Sequence, residues 1–259
     1  VHFSFPDREE ELFSHLDLNI PAGKTVALVG SSGCGKSTLV RMLTRVYEPT
    51  EGRVLVDGQD VKGVTLSSLR DAIGVVPQDN SLFAADLMYN LKYGTPQSTD
   101  EDAVKIAKAV QLDPEVALME DGYQTAVGER GSRLSGGQRQ RATIGRALLK
   151  DPEILICDEV TSALDVGTEG RLMEQLKELR KGKTTILIAH RLSTVADADE
   201  IIVMDAGRIA ERGTHLSLLQ DKTSRYHQMW SQQLEDSATA NAYHDDHDHD
   251  HHHHDHHHH

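Results

Sequence analysis

The stretch Thr25-Val26-Ala27-Leu28-Val29-Gly30-Ser31-Ser32-Gly33-Cys34-Gly35-Lys36-Ser37-Thr38 decides the fold. Its first five residues read as a short apolar strand stopped by glycine. The run 36–46 that follows has the periodicity of an amphipathic helix. Between them, glycines let the backbone curl so that its N–H groups point at phosphate oxygens. Lys36 places a compact positive charge near the β/γ-phosphates, and the Ser37 hydroxyl is placed to coordinate Mg²⁺. With strand, loop, Lys, Ser and helix in that order, a chance Gly-rich turn is a poor rival reading. The candidate nucleotide contacts are therefore Gly30, Ser31, Ser32, Gly33, Cys34, Gly35, Lys36, Ser37 and Thr38.

About 100 residues further on, Leu134-Ser135-Gly136-Gly137-Gln138 precedes a helix-compatible run, 139–149. Backbone N–H groups exposed at a helix start make a second anion site. One domain cannot easily fold both surfaces onto a single nucleotide. Two copies that share their nucleotides are the simplest solution.

Ile154-Leu155-Ile156-Cys157-Asp158-Glu159 is an apolar strand ending in two acids. Alone it would read as an ordinary acidic strand-to-loop junction. Beside a phosphate loop, Asp158 suits a water-mediated Mg²⁺ contact, and Glu159 can polarise a water for attack on the γ-phosphate. Gln78, after Pro77 at the end of a buried strand, can touch Mg²⁺ or that water. His190 ends the strand 184–189, where an imidazole can hydrogen-bond the γ-phosphate. A lone Gln or His at a strand end is more often just polar surface or structural, so both assignments lean on context.

Elsewhere, strand-like segments at 53–56, 73–76 and 201–205 alternate with helical ones, the pattern of an α/β fold with a largely parallel sheet. Ala206-Gly207 turns into 208–211 as a hairpin, and 214–220 reads as a short helix. Strand signals vanish over 79–149, where Ala103, Ile106, Ala107 and Val110 share one helical face. Aromatic content of only 4% makes the core aliphatic, and a net charge of −14 argues against nucleic acid as a partner. Two cysteines, Cys34 and Cys157, are too few for a disulfide framework and read as small buried side chains. No stretch approaches the roughly 18 apolar residues of a membrane span. The chain opens on Val1 inside a strand-like segment, so it reads as a piece of a longer protein.

From His244 onward the sequence is only His and Asp, with eleven histidines. It has no means of burying a core and is expected to be disordered without a ligand. Imidazoles at His244, His247, His249 and His251 are candidate ligands for Zn²⁺ or another transition metal, if the tail is native rather than a purification tag.

Together these elements resemble the nucleotide-binding domain of ATP-binding cassette (ABC) transporters over residues 1–234. The resemblance rests on the phosphate loop, Gln78, the signature Leu134-Ser135-Gly136-Gly137-Gln138, the pair Asp158-Glu159, the loop Ser162-Ala163-Leu164-Asp165, and His190. It implies an α/β P-loop NTPase (RecA-like) core with a mostly parallel sheet, an antiparallel β subdomain and a helical subdomain insertion. The implied units are 1–78 with 150–235 as ATP-binding core with β subdomain, 79–149 as helical subdomain carrying the signature, and 236–259 as a disordered His/Asp-rich tail. It implies ATP and Mg²⁺ as cofactors, with Glu159, His190 and Gln78 catalytic and Ser37, Gln78 and Asp158 on Mg²⁺. Ser135, Gly136, Gly137 and Gln138 would contact a partner's nucleotide, Asp165 would lie at the dimer interface, and Phe5 would stack on adenine.

Val127-Gly128-Glu129-Arg130-Gly131 and Ile188-Ala189-His190-Arg191-Leu192-Ser193-Thr194 look like exporter forms. Val75-Val76-Pro77-Gln78-Asp79 and Met229-Trp230 resemble the half-transporter branch of mitochondrial iron–sulfur-related and heavy-metal-tolerance exporters. The implied partners are a second nucleotide-binding domain and a transmembrane domain. The implied place is a membrane, with the ATPase facing cytosol or mitochondrial matrix. The rival classes are a soluble, non-transport ABC ATPase and a metal-responsive ATPase regulated by its His-rich tail.

Overall fold

The computed structural model describes residues 1–31, 33–160 and 163–248, with side chains described to residue 241. Ser32, Ser162, His249 and His251 lie outside the described residues, as do the side chains of His244 and His247.

A six-stranded sheet has the order β4-β5-β6-β1-β7-β8. Its strands are β1 (Thr25–Gly30), β4 (Ile73–Val76), β5 (Ile154–Asp158), β6 (Thr184–Ile188), β7 (Glu200–Asp205) and β8 (Arg208–Gly213). The first five are parallel, and β8 returns antiparallel to β7 through the Ala206-Gly207 turn. A separate antiparallel ribbon pairs β2 (Leu55–Val56) with β3 (Gln59–Asp60).

Strand periodicity divides the sheet between two cores. Val26 and Leu28 of β1 join Ile156, Ile186, Ile188, Ile202 and Met204 on one face, packed by Phe3, Phe13, Leu39 and Met42. Ala27 and Val29 join Leu155, Cys157, Leu187, Ile201 and Val203 on the other. Successive side chains point to opposite faces, and both faces are covered, so these strands read as continuous apolar runs. β8 has one open side, and its burial alternates between half-buried and exposed. Cys34 and Cys157 are both buried, as expected.

Helix α1 (Lys36–Leu43) follows the phosphate loop, and α2 (Leu66–Ala72) precedes β4. Between β4 and β5 the chain forms α3 (Leu87–Lys92), α4 (Asp100–Ala109), α5 (Asp113–Val116) and α6 (Gly136–Lys150). Gly145 of α6 sits against Leu91 and Ile106; an added Cβ would lie 3.3 Å from each, so glycine lets α3 and α4 approach closely. Helices α7 (Val166–Leu179), α8 (His215–Gln220) and α9 (Arg225–Asp248) are the remaining α-helices among the described residues.

Two differences from the sequence expectation have local causes. The expected helix 36–46 stops at Leu43, because Arg45 adopts φ +62° and the N–H groups of Val46 and Tyr47 both turn back to the Arg41 carbonyl. The Arg45 guanidinium then donates to the carbonyls of Val61 and Val64. At the other end, α9 keeps helical backbone through Asp248, past residue 236 where disorder is expected. The segment Ser237-Ala238-Thr239-Ala240-Asn241-Ala242 is alanine-rich, which favours helix. Its Ser237 and Thr239 hydroxyls bond carbonyls four residues back.

Gly207 is the tightest point of this frame. Its φ is +75°, its N–H donates to the Cys34 carbonyl, and an added Cβ would lie 1.7 Å from the Leu12 oxygen. Gly207→Ala should destabilise the chain by at least about 2 kcal/mol, measured by urea unfolding.

Candidate active site

The carboxyl ends of the neighbouring strands β5, β6 and β1 lie side by side at one end of the sheet, the place where open α/β sheets hold ligands. The phosphate loop leaves β1 there. Gly33 and Gly35 take φ values of +79° and +105°, and a Cβ on Gly35 would lie 2.4 Å from the Phe13 ring. A Cβ on Gly33 would meet nothing within 4 Å, so that side of the loop is open. Lys36 and Thr38 are buried, whereas Ser31 and Ser37 are exposed.

The Lys36 ammonium donates to the Gly30 carbonyl at 2.6 Å. It is only 5% exposed, and no carboxylate pairs with it among the described residues. An ammonium has three donors, and burying its charge without a counter-ion is costly. An anionic group against the loop would complete it, so these residues fit a nucleotide phosphate.

At the end of β5, Asp158 is half-buried, and Glu159 turns sharply with φ +52°. The Glu159 N–H donates to the Ile188 carbonyl at 2.8 Å. Its carboxylate is gripped from two sides: Oε1 lies 2.7 Å from His190 Nε2, and Oε2 accepts from Gln78 Nε2 at 3.0 Å. The three residues expected to act together, drawn from three strand ends, therefore form one cluster. A carboxylate so held can accept a proton from a water. Desolvation, and next the neighbouring Glu159 charge, push the Asp158 carboxyl above its ordinary value; Arg41, Lys36 and His190 oppose this. A crowded, partly dehydrated carboxylate fits a divalent cation, and Ser37 and Gln78 are the other candidate oxygen donors.

The signature caps α6. Ser135 Oγ accepts from the Gln138 N–H, and Gln138 Oε1 accepts from the Ser135 N–H, a reciprocal capping box. The Gln138 amide also donates to Glu115, which pairs with Arg141, and Asn80 donates to the Gly136 carbonyl. A Cβ on Gly137 would lie 3.2 Å from Leu164 and 3.3 Å from the Ala163 oxygen. Glu115, Asn80 and the 163–164 segment are thus among the signature's neighbours in its own chain. Asp165 caps α7, accepting from the Thr168 N–H at 2.9 Å and hydroxyl at 2.8 Å; these bonds hold its carboxyl below the ordinary value.

Phe5 is half-buried, edge-on to Phe3 and Tyr47, with the Arg8 guanidinium 5.5 Å from its ring centre. Among the described residues no group of three or more His, Cys, Asp or Glu can hold a metal ion. One element the sequence reading passes over is Glu169, which is 5% exposed. It takes hydrogen bonds from Arg191 and from the Thr194 hydroxyl, tying α7 to the turn after His190. Nothing in its helical position distinguishes it from a surface glutamate.

The fold and this strand-end cluster define a phosphate-loop, nucleotide-binding ATPase domain. The ABC transporter family model matches residues 13–162, and the chain belongs to that family. It is 50% identical over 233 residues to the mitochondrial iron-sulfur clusters transporter ABCB7 of Homo sapiens, covering 90% of this chain and 31% of that protein. It is 45% identical over 243 residues to the heavy metal tolerance protein of Schizosaccharomyces pombe, covering 93% and 29%. Among solved structures, a bacterial Atm1-family ABC exporter with ATP bound matches with TM-score 0.86 and 46% identity, covering 90% of this chain and 41% of that one. The chain thus spans about a third of the length of the curated relatives. Membership of this family implies ATP and Mg²⁺ as cofactors.

The raised Asp158 carboxyl fixes a sign. The folded chain binds that proton more tightly than the unfolded chain, so the charged carboxylate costs stability once pH exceeds its folded value. Asp158→Asn without nucleotide should raise the thermal midpoint at pH 7. The gain should shrink to nothing below the ordinary value of 3.8. Scans at pH 7 and pH 3.5 check it; an unchanged midpoint at pH 7 is the contrary result.

Proposed function

We propose that this chain is the ATP-hydrolysing motor domain of an ABC exporter, with 1–78 and 150–235 as ATP-binding core and 79–149 as helical subdomain. The observation that carries the reading is the Glu159 carboxylate held between Gln78 and His190, beside a buried Lys36 ammonium that lacks a carboxylate partner among the described residues. Loop N–H groups and Lys36 bind the β/γ-phosphates of ATP, and Phe5 stacks on adenine. Ser37, Gln78 and Asp158 would hold Mg²⁺, which when bound offsets charge on the phosphates. Glu159 orients the attacking water and takes its proton, while His190 steadies that carboxylate and faces the γ-phosphate.

Two copies close over two nucleotides, the signature Ser135, Gly136, Gly137 and Gln138 of one meeting the ATP of the other. Asp165 lies at that interface. Closure and reopening drive a transmembrane domain of the whole protein, with the motor facing cytosol or mitochondrial matrix. The proposed cargo is a metal species or a thiol conjugate, and similarity to proteins named as an iron-sulfur clusters transporter and a heavy metal tolerance protein supports the metal species. That similarity also favours a transporter over a soluble, non-transport ATPase.

Glu159→Gln should bind ATP and form a stable dimer on size-exclusion chromatography with MgATP. Its hydrolysis should fall by about 10²–10⁴-fold, and wild-type turnover would remove Glu159 from its role. The tail, read as a Zn²⁺ or transition-metal ligand through His244, His247, His249 and His251, is tested separately. Deleting residues 244–259 should abolish any response of ATPase rate to added Zn²⁺, and an unaltered response dismisses tail regulation.

A further inference from the structure

Helix α9 reaches the turn that carries His190. Tyr226, Trp230 and Gln233 of α9 lie at i, i+4 and i+7, on one face. The lower part of that face is firmly anchored. Tyr226 is fully buried with its hydroxyl 2.8 Å from His215 Nδ1, and the Trp230 ring centre lies 4.7 Å from that of His215. The N–H groups of Arg225 and Tyr226 donate to the Glu211 carboxylate at 2.9 and 3.0 Å. Gln233 is the last partly buried residue of the helix before the exposed run 234–241.

The Gln233 side-chain amide spans the turn that follows β6. Its Oε1 accepts from the Leu192 N–H at 2.9 Å, and its Nε2 donates to the His190 carbonyl. Leu192 opens a short 3₁₀ turn, Leu192–Thr194, where N–H groups lack partners inside the turn. The His190 side chain is 52% exposed, so side-chain packing does little to aim it. Its 2.7 Å approach to Glu159 depends on where its backbone sits. Glu169 holds Arg191 and Thr194 of the same turn, but Gln233 is the group bonded to the peptide carbonyl of His190 itself.

We infer that Gln233 is a positioning residue for hydrolysis: its amide clamps the 190–192 backbone so that the His190 imidazole meets Glu159. The inference rests on the roles proposed above for Glu159 and His190. Two variants of the full chain test it. Gln233→Met keeps the length of the side chain and its apolar stem but removes both hydrogen bonds. Gln233→Glu keeps an acceptor for Leu192 and sets a carboxylate oxygen against the His190 carbonyl.

In both variants kcat for ATP should fall on the order of tenfold, with KM for ATP unchanged within about twofold and the circular dichroism spectrum retained. In a His190→Ala background, single-turnover hydrolysis with enzyme in excess should show no further loss from Gln233→Met, because the clamp then has nothing to aim. Wild-type kcat in both variants overturns the inference. So does an equal fold-loss with and without His190, which would mark Gln233 as merely structural. Failure of the underlying reading looks different: His190→Ala alone would then hydrolyse ATP at the wild-type rate.

Discussion

One rung of the sheet sets the geometry of everything that follows. Ile188 of β6 pairs with Leu28 of β1 on one side and with Asp158 of β5 on the other. Its carbonyl takes the Glu159 N–H, and the next residue, Ala189, donates back to Leu28. The phosphate loop begins two residues after Leu28, the acid pair begins at Asp158, and His190 lies two residues beyond Ile188. A one-residue slip in either ladder would carry apolar residues from one buried core to the other. Both faces of these strands are fully packed, so such a slip is strongly opposed. The register that buries Val26, Leu28, Ile156 and Ile188 is thus also the one that brings Glu159 to His190.

The site built on this rung is electrostatically unfinished, and that follows from its chemistry. Lys36 is buried without a carboxylate partner among the described residues, and Asp158 is half-buried beside a second acid. Burial of each charge opposes folding, and the attraction between Lys36 and Asp158 offsets part of that cost. An anionic phosphate and a divalent cation answer the two deficits together, so binding energy and relief of desolvation arise from the same contacts. The glycines serve the same end. A side chain at Gly35 would strike Phe13, and one at Gly30 would lie 2.5 Å from the Met204 oxygen, so the loop is pressed tightly onto its own core.

Much of this was legible in the sequence because it depends on residue order. The phosphate loop, the strand ending in Asp158-Glu159 and the apolar strand at 73–76 are local signals, and the strands lie where they are expected. Helix α7 has a weaker local signal: Asp165 with Thr168 forms its N-terminal cap, a role separate from the interface place that the family resemblance implies for Asp165. Contacts between distant segments were the least visible. Glu169 with Arg191, Glu115 with Gln138 and Gln233 with His190 join residues 22, 23 and 43 positions apart. Periodicity and spacing say nothing about such pairs, since each depends on which helices the sheet order brings together.

The signature illustrates how local chemistry and assembly are linked. Its capping box satisfies the N–H groups of Ser135 and Gln138 within the helix. The N–H groups of Gly136 and Gly137 take no part in that box, and both residues are half-buried, with the 163–164 segment packed against them. The surrounding contacts, Asn80 on the Gly136 carbonyl and Arg141 on the Gly137 carbonyl, fix the helix start. Gln140 of the same helix accepts from the Ala163 N–H, so the helix start and the segment leading to Asp165 are joined as one unit. A helix start fixed in this way, with glycine at its first two positions, is suited to bind an anion. On the function proposed above, a second copy would bring its anion to this helix start, as a nucleotide would bring counter-charge to Lys36.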